Sequence, residues 1–277
     1  MLLAPETAQL SPQFSPLYRQ IAVLITRSLQ ASEWKPGEAI PSELELAARY
    51  KVSQGTVRKA IDAAKHPALL LVDTISGLAS AEYKHDEWGV DVSISGSQKG
   101  LMLPPGISFN ALSPRAIEVS QKGGMPRSYW AWGEMIEMNK NGYWPSTPNT
   151  NLLYGLSEAC DMILGQGLDV VFKRHKRWSA GACAAVTAWG LPIQCADPAL
   201  HSPILTGVMT PEGVDADAIR KVIYERFDCS LGTGLGKVKG RMFRIGHLGD
   251  CNDLTVIAAV SACEMGLKLG GVKLAGS

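Results

Sequence analysis

The feature that most limits how this chain can fold is a change of pattern near His66-Pro67. Before it the apolar residues recur at helical spacing and no strand is visible. After it come short wholly apolar runs, glycine-rich turns and most of the tryptophans. One layer pattern does not accommodate both. The expected division is therefore 1–65 and 66–277, with the second part split into about 66–190 and about 191–277. A length of 277 residues suits two modest domains on a prior of roughly 150 residues each. With 46% hydrophobic and 19% charged residues the chain can bury a real core, which rules out wholesale disorder. The net charge of +1 supplies no general attraction for nucleic acid or anionic lipid, so such a partner needs a local patch. Residues 1–65 hold eight Lys/Arg against six Asp/Glu, and the remainder is slightly acidic. No apolar run approaches the roughly 20 residues of a spanning helix, and the N-terminus lacks the pattern of a secretion signal. The six cysteines are nowhere closer than 12 positions, so no CxxC or zinc pattern exists. His85, His175, His201 and His247 show no ligand spacing, and no metal is expected. Reduced thiols and a cytoplasmic location follow as expectations.

In the first part, Leu17, Ile21, Leu24, Ile25 and Leu29 mark one face of a helix that starts after Ser15-Pro16. Lys35-Pro36-Gly37 breaks the chain. Ser42-Glu43-Leu44-Glu45 is a capping box opening a short helix that ends near Tyr50. The turn Lys51-Val52-Ser53 leads to a third helix, Gln54 to about Ala64. Two helices across so tight a turn make a helix-turn-helix candidate. Its second helix presents Gln54, Thr56, Arg58 and Lys59, with Ser53 just before them, where a recognition helix meets base edges and phosphates. Val57 and Ile61 point inward. An ordinary solvated helical face is the alternative.

Four motifs in order, Pro16-Leu-Tyr-Arg-Gln-Ile, Trp34-Lys-Pro-Gly-Glu, Ile40-Pro-Ser-Glu-Leu-Glu-Leu-Ala and Val52-Ser-Gln-Gly-Thr-Val-Arg-Lys-Ala, resemble the N-terminal DNA-binding domain of GntR-family transcription regulators over about 15–62. The resemblance implies DNA as a partner through residues 40–60. It also implies a following two-stranded wing, but no wing is visible before His66-Pro-Ala-Leu-Leu-Leu-Val-Asp. Leu44 and Gln54 stand where many members carry arginine.

The second part reads as α/β. Ala68–Val72 is expected to be a strand buried on both faces, with Asp73 at its C-terminal end, where ligand sites of open α/β sheets lie. Val90–Ser95 is a second strand, followed by the small-residue loop Gly96-Ser97-Gln98-Lys99-Gly100. A strand over Gly106–Ala111 comes next. A long helical stretch from about Leu152 to Trp189 breaks near Gly165-Gln-Gly167. Strands at Ile204–Met209 and Arg241–Gly246, with helices at Ala216–Phe227 and Asp253–Leu269, form a smaller α/β unit. Gly232-Thr-Gly-Leu-Gly-Lys lacks the Walker spacing and is expected to be a flexible loop. Asp73, Lys99 and Arg244 are the residue types a pyridoxal phosphate site needs. An amine links to the cofactor aldehyde, a carboxylate keeps the ring nitrogen protonated, and a guanidinium grips a substrate carboxylate. Singly each signal is weak: the lysine also reads as a surface residue and the aspartate as a turn former.

Leu69-Leu-Leu-Val-Asp-Thr-Ile-Ser, His85-Asp-Glu-Trp-Gly-Val-Asp-Val, Gly96-Ser-Gln-Lys-Gly, Leu103-Pro-Pro-Gly, the stretch from Gly142 to Leu156 and Phe243-Arg-Ile-Gly-His-Leu-Gly resemble class V pyridoxal-phosphate aminotransferases of the serine–glyoxylate and alanine–glyoxylate type. The resemblance covers about 60–277. It implies Lys99 as the lysine of the internal aldimine, Asp73 as partner of the pyridine nitrogen and Gln98 as a cofactor hydrogen-bonder. Thr147 would reach the phosphate in a neighbouring subunit of a homodimer, and Arg244 would hold the substrate carboxylate. The implied substrates are a small amino-acid donor and a 2-oxo acid such as glyoxylate.

The expected fold is then an incomplete fold-type I large domain plus a small α/β domain, preceded by a three-helix winged-helix-like segment without its wing. More than 100 residues that normally precede the Asp73 strand have no counterpart in 1–65. Val57-Arg-Lys-Ala-Ile-Asp-Ala-Ala suits both families, as a recognition-helix end and as the helix before that strand. Three functions are open: a transaminase, a GntR-like regulator with an aminotransferase-derived domain, or a non-functional join of two genes, whether by recombination or in sequence assembly.

Overall fold

The computed structural model describes residues 16–34, 40–64, 67–124 and 126–275, without the side chains of Leu44, Gln54 and Asp62. The expected break at Lys35-Pro36-Gly37 lies outside these residues, as does His66. The chain forms two compact units, one ending at Leu69 and the other beginning at Leu70.

The first unit is three helices. Helix α1 (Leu17–Gln30) follows Pro16 and buries Ile21, Ala22 and Ile25. Helix α2 (Glu43–Tyr50) opens on the expected capping box: the Ser42 N–H donates to Glu45 Oε2 at 2.8 Å and the Glu45 N–H to Ser42 Oγ at 3.3 Å. It closes on Lys51 in the left-handed conformation (φ 55°), which turns the chain sharply into α3 (Gln54–Ala63). Ile25, Leu46, Val57 and Ala60 have no exposed surface, so the three helices share one small core. Ile61 packs at its edge. Between α3 and the end of this unit no strand occurs among the described residues.

The second unit carries two sheets. In the first, β1 (Leu71–Asp73) runs parallel to β2 (Val92–Gly96), which pairs antiparallel with β3 (Ser108–Leu112). The expected strand buried on both faces is corrected here. β1 is three residues long, Leu71 is 59% exposed, and the only strand pairing with β1 among the described residues is β2. A wholly apolar run is buried on both faces only when strands flank it and helices cover it, and β1 is an edge. Helices α4 (Pro114–Gln121) and α5 (Trp132–Lys140) follow, then α6 (Thr150–Gln166) and α7 (Leu168–Ala188). Gly167, at φ 86°, separates the last two, close to the expected break.

The second sheet has the order β4-β6-β5, from β4 (Leu205–Met209), β5 (Gly232–Thr233) and β6 (Met242–Gly246), all antiparallel. Helices α8 (Ala216–Phe227) and α9 (Asp253–Leu269) have the expected limits and are capped by Asp215 and Asn252. Val208, Ile223, Phe243, Ile245 and Leu267 centre the main core. The Gly232–Lys237 segment is not a flexible loop, a second correction. It contains β5 and a 3-10 turn at Gly236–Val238, and the Thr233 hydroxyl donates to Asp217 Oδ1 at 2.8 Å. A Cβ at Gly234 would stand 2.2 Å from the Val238 carbonyl, so the chain folds back on itself too closely for any other residue. No described helix is long and apolar enough to cross a membrane.

Candidate active site

Parallel pairing puts the C-terminal ends of β1 and β2 side by side, with Asp73 in register with Ile94. Asp73 ends β1; Lys99 lies three residues beyond β2. Several contacts hold these two ends together. The Thr74 N–H donates to the Ile94 carbonyl at 2.8 Å and the Thr74 hydroxyl to the same oxygen at 2.9 Å. The Ser95 hydroxyl reaches back to the Thr74 carbonyl at 3.3 Å. The Lys99 loop then packs on the turn that follows Asp73. A Cβ at Gly100 would stand 2.1 Å from the Leu78 carbonyl and 2.4 Å from Ser80 Oγ, so only glycine permits this approach. Ser97 is fully buried, donating to the Pro104 carbonyl at 2.7 Å and accepting from the Ile107 N–H. The structure thus brings Asp73 and Lys99 to one end of one sheet.

Asp73 is exposed, and its Oδ1 accepts the Ile75 N–H at 2.9 Å, which orients the carboxylate. Lys99 is half-buried and Gln98 exposed, with the Gln98 amide folded over Gly96. The second sheet approaches through the turn after β6. The Gly249 position lies against the Lys99 carbonyl, 3.7 Å from where a Cβ would be. That turn is fixed by His175 of α7. Its Nδ1 donates to the Val171 carbonyl at 2.8 Å, and its Nε2 accepts the Gly249 N–H at 3.2 Å. One donor and one acceptor require the neutral ring. Burial also pushes the His175 pKa below its ordinary value, in the same sense.

Arg244 sits in the middle of β6, opposite Gly207 of β4 and Gly232 of β5. Its side chain lies over Gly232, where a Cβ would meet Nε at 3.0 Å. The Arg244 Nε is buried without a hydrogen-bond partner, which leaves a donor unused. Arg244 borders a cavity of about 270 Å³; Asp73 and Lys99 border neither that cavity nor a second, apolar one of about 220 Å³ between Leu78, Tyr83, Leu101 and Ile163. Thr147 is exposed on the connection between α5 and α6.

For a pyridoxal phosphate group the donor set fits. A lysine and a carboxylate stand at neighbouring strand ends, and an arginine with an unsatisfied buried donor lies on the adjoining sheet.

The sequence reading passed over two supports of this site. Gly100 could have been suspected from its place in a small-residue loop. Asp91, buried at the start of β2, accepts from the Leu70 N–H, the Ser113 hydroxyl and the Arg115 guanidinium. Burial opposes its charge, but the Arg115 guanidinium, the Leu70 N–H and the Ser113 hydroxyl outweigh it and lower the carboxyl to about 2. Its partners are 21 to 24 residues away, so no local spacing announces it.

In the first unit, the expected DNA-facing residues gather at the start of α3. Ser53 Oγ accepts the Thr56 N–H at 3.2 Å and lies 2.9 Å from Thr56 Oγ1. Lys59 is exposed. Arg58 is held by both oxygens of Glu43 at 3.0 and 3.1 Å, so it reaches a phosphate only by leaving that pair. The Gln54 side chain lies outside the described residues.

Two family models match the chain. The description "bacterial regulatory proteins, gntR family" covers residues 17–78, and "aminotransferase class-V" covers 53–234. Residues 53–78 fall within both. Serine–glyoxylate aminotransferase of Hyphomicrobium methylovorum is 46% identical over 79% of this chain and 54% of its own length. L-aspartate–glyoxylate aminotransferase of Paracoccus denitrificans is 44% identical over 80% of this chain and 56% of its own. Among solved structures, pyridoxamine–pyruvate aminotransferase from Mesorhizobium loti superposes with a TM-score of 0.73 at 30% identity, over 79% of this chain and 57% of that one. The chain spans about half the length of the curated relatives it matches.

Proposed function

Since this chain belongs to the class-V aminotransferase family and carries a gntR-family helix-turn-helix segment before it, we propose that it is a pyridoxal-phosphate-dependent transaminase that moves an amino group between a small amino acid and a 2-oxo acid such as glyoxylate. The observation that carries this reading is the pairing of Asp73 and Lys99 at adjacent strand ends, locked by the Gly100–Leu78 approach. When bound, the cofactor supplies an aldehyde and an electron-accepting ring. The chain's residues do the rest. The Asp73 carboxylate would accept a hydrogen bond from the ring nitrogen and keep that atom protonated. Lys99 Nζ would hold the cofactor, and its amine would move the proton at the substrate α-carbon. The Arg244 guanidinium donates two parallel hydrogen bonds to the substrate carboxylate, which fixes the substrate's orientation. Thr147 acts across a homodimer interface on the partner's cofactor. We place the protein in the cytoplasm, in keeping with six free thiols.

Adding pyridoxal phosphate, reducing with borohydride and mapping peptides tests the assignment. The expected result is a cofactor adduct on Lys99, lost in Lys99→Ala and weakened in Asp73→Asn. Labelling spread over surface lysines overturns it.

A second reading, regulation of transcription, is favoured by the tight α2–α3 turn under the gntR match. It predicts a gel shift that falls with salt and separates DNA sequences, weakened by Lys59→Ala. A shift indifferent to sequence counts against it. Failure of both tests leaves the chain a non-functional join of two genes.

A further inference from the structure

The larger cavity of the second unit, about 270 Å³, is lined by two thiols, Cys183 and Cys195, and by His201. Cys183 stands on α7; Cys195 and His201 lie on the connection from α7 to β4. His201 Nε2 is 3.0 Å from the Cys195 carbonyl oxygen, an atom that only accepts, so Nε2 carries the ring proton. Nδ1 of the neutral ring is then the acceptor, and Cys183 Sγ lies 3.5 Å from it. A nucleophile beside a base, with the base oriented by a third group, is the arrangement of an activated thiol. The Thr206 hydroxyl is 3.7 Å from the same sulfur, and is itself 2.9 Å from His247 Nε2.

Burial pushes the thiols of Cys229, Cys251 and Cys263 up, away from the reactive anion. Cys183 is half-buried and opens on the cavity. The space is below the usual range for drug-sized ligands, which selects a small reactant. Two thiols lining one cavity, one of them beside a base, match the pattern of an oxidisable cysteine with a second thiol to resolve it.

We propose that Cys183 is a peroxide-sensitive thiol site, with His201 as its base and Cys195 as its resolving partner. Cys183 Sγ attacks one oxygen of hydrogen peroxide; the S–O bond forms as the O–O bond breaks. Sulfur loses two electrons and the peroxide gains them. The thiol proton passes through His201 Nδ1 to the departing oxygen, which leaves as water. The Cys195 thiol then attacks the oxidised sulfur, an S–S bond forms, and a second water leaves. This inference needs none of Asp73, Lys99 or Arg244 to react, although Arg244 borders the same cavity.

The test treats the full chain with hydrogen peroxide and dimedone and maps products by mass spectrometry. Expected is a dimedone adduct on Cys183, or a Cys183–Cys195 disulfide, before Cys160, Cys229, Cys251 or Cys263 reacts. Cys195→Ser keeps the adduct and removes the disulfide. His201→Ala, folded by circular dichroism, slows oxidation at Cys183 at least about tenfold. First reaction at another cysteine, or a folded His201→Ala chain reacting at the wild-type rate, overturns the proposal. Should His201→Ala not fold, the order of reaction in the wild-type chain decides.

Discussion

Asp91 shows how much one side chain can organise. Its two oxygens tie the approach to β1, the start of β2 and the cap of α4 through Leu70, Ser113 and Arg115. Asp91→Asn removes the charge that Arg115 faces, and the loss is about 3 kcal/mol in urea unfolding. The pH dependence has a definite sign. The folded carboxyl titrates at about 2, below the ordinary aspartate value of about 3.9. Its contribution is complete above the unfolded value and disappears as pH falls through the folded one. Wild-type stability therefore drops between about pH 4 and pH 2, and the variant's curve lacks that part of the slope. Gly100→Ala forces a Cβ onto the Leu78 carbonyl, which is backbone and yields little. It costs about 2 kcal/mol, and borohydride trapping of cofactor on Lys99 falls with it. Asp91 and Gly100 fall inside stretches that resemble the family, but nothing in their residue type announces a role, whereas the chemistry of an amine, a carboxylate and a guanidinium singles out Lys99, Asp73 and Arg244. Cys183 and His201 are 18 residues apart on a helix and a loop, so only the folded chain puts them together.

Between elements, α8 and α9 approach closely through two glycines. Gly266 and Gly270 lie one turn apart at the end of α9, and Cβ atoms there would stand 2.1 Å from Ile223 Cγ1 and Ile219 Cδ1. Those isoleucines are also one turn apart, on α8. Alanine gains about 1 kcal/mol over glycine within an exposed helix, but at Gly266 overpacking wins, and Gly266→Ala lowers stability by about 1–3 kcal/mol. Ile223→Val beside it recovers part of the loss, a coupling that a double-mutant cycle measures. These two helices were legible in the sequence because each has an apolar face and a capping residue, Asp215 or Asn252. Helix α5 was not, since it buries no residue and so lacks an apolar period. β5, at two residues, is too short for any alternation to register. β1 was misjudged because an apolar run reveals its composition but not whether neighbours cover it.

For the molecule as a whole, among the described residues the apolar clusters of the first unit hold only its own residues and those of the second only its own. Two such units predict two unfolding transitions in calorimetry. Trp34 packs in the first unit, and the other six tryptophans belong to the second. Trp34→Phe therefore leaves the fluorescence of the larger transition in place; a single shared transition contradicts this. The stretch 53–78, matched by both family models, includes α3. Val57 and Ala60 are wholly hidden among the three helices. A stripe of side chains can be shielded from water only once. Whichever ancestor contributed those letters, a damaging change at Val57 registers first as a melted regulator-like bundle, and the helix has no second apolar face left to lend.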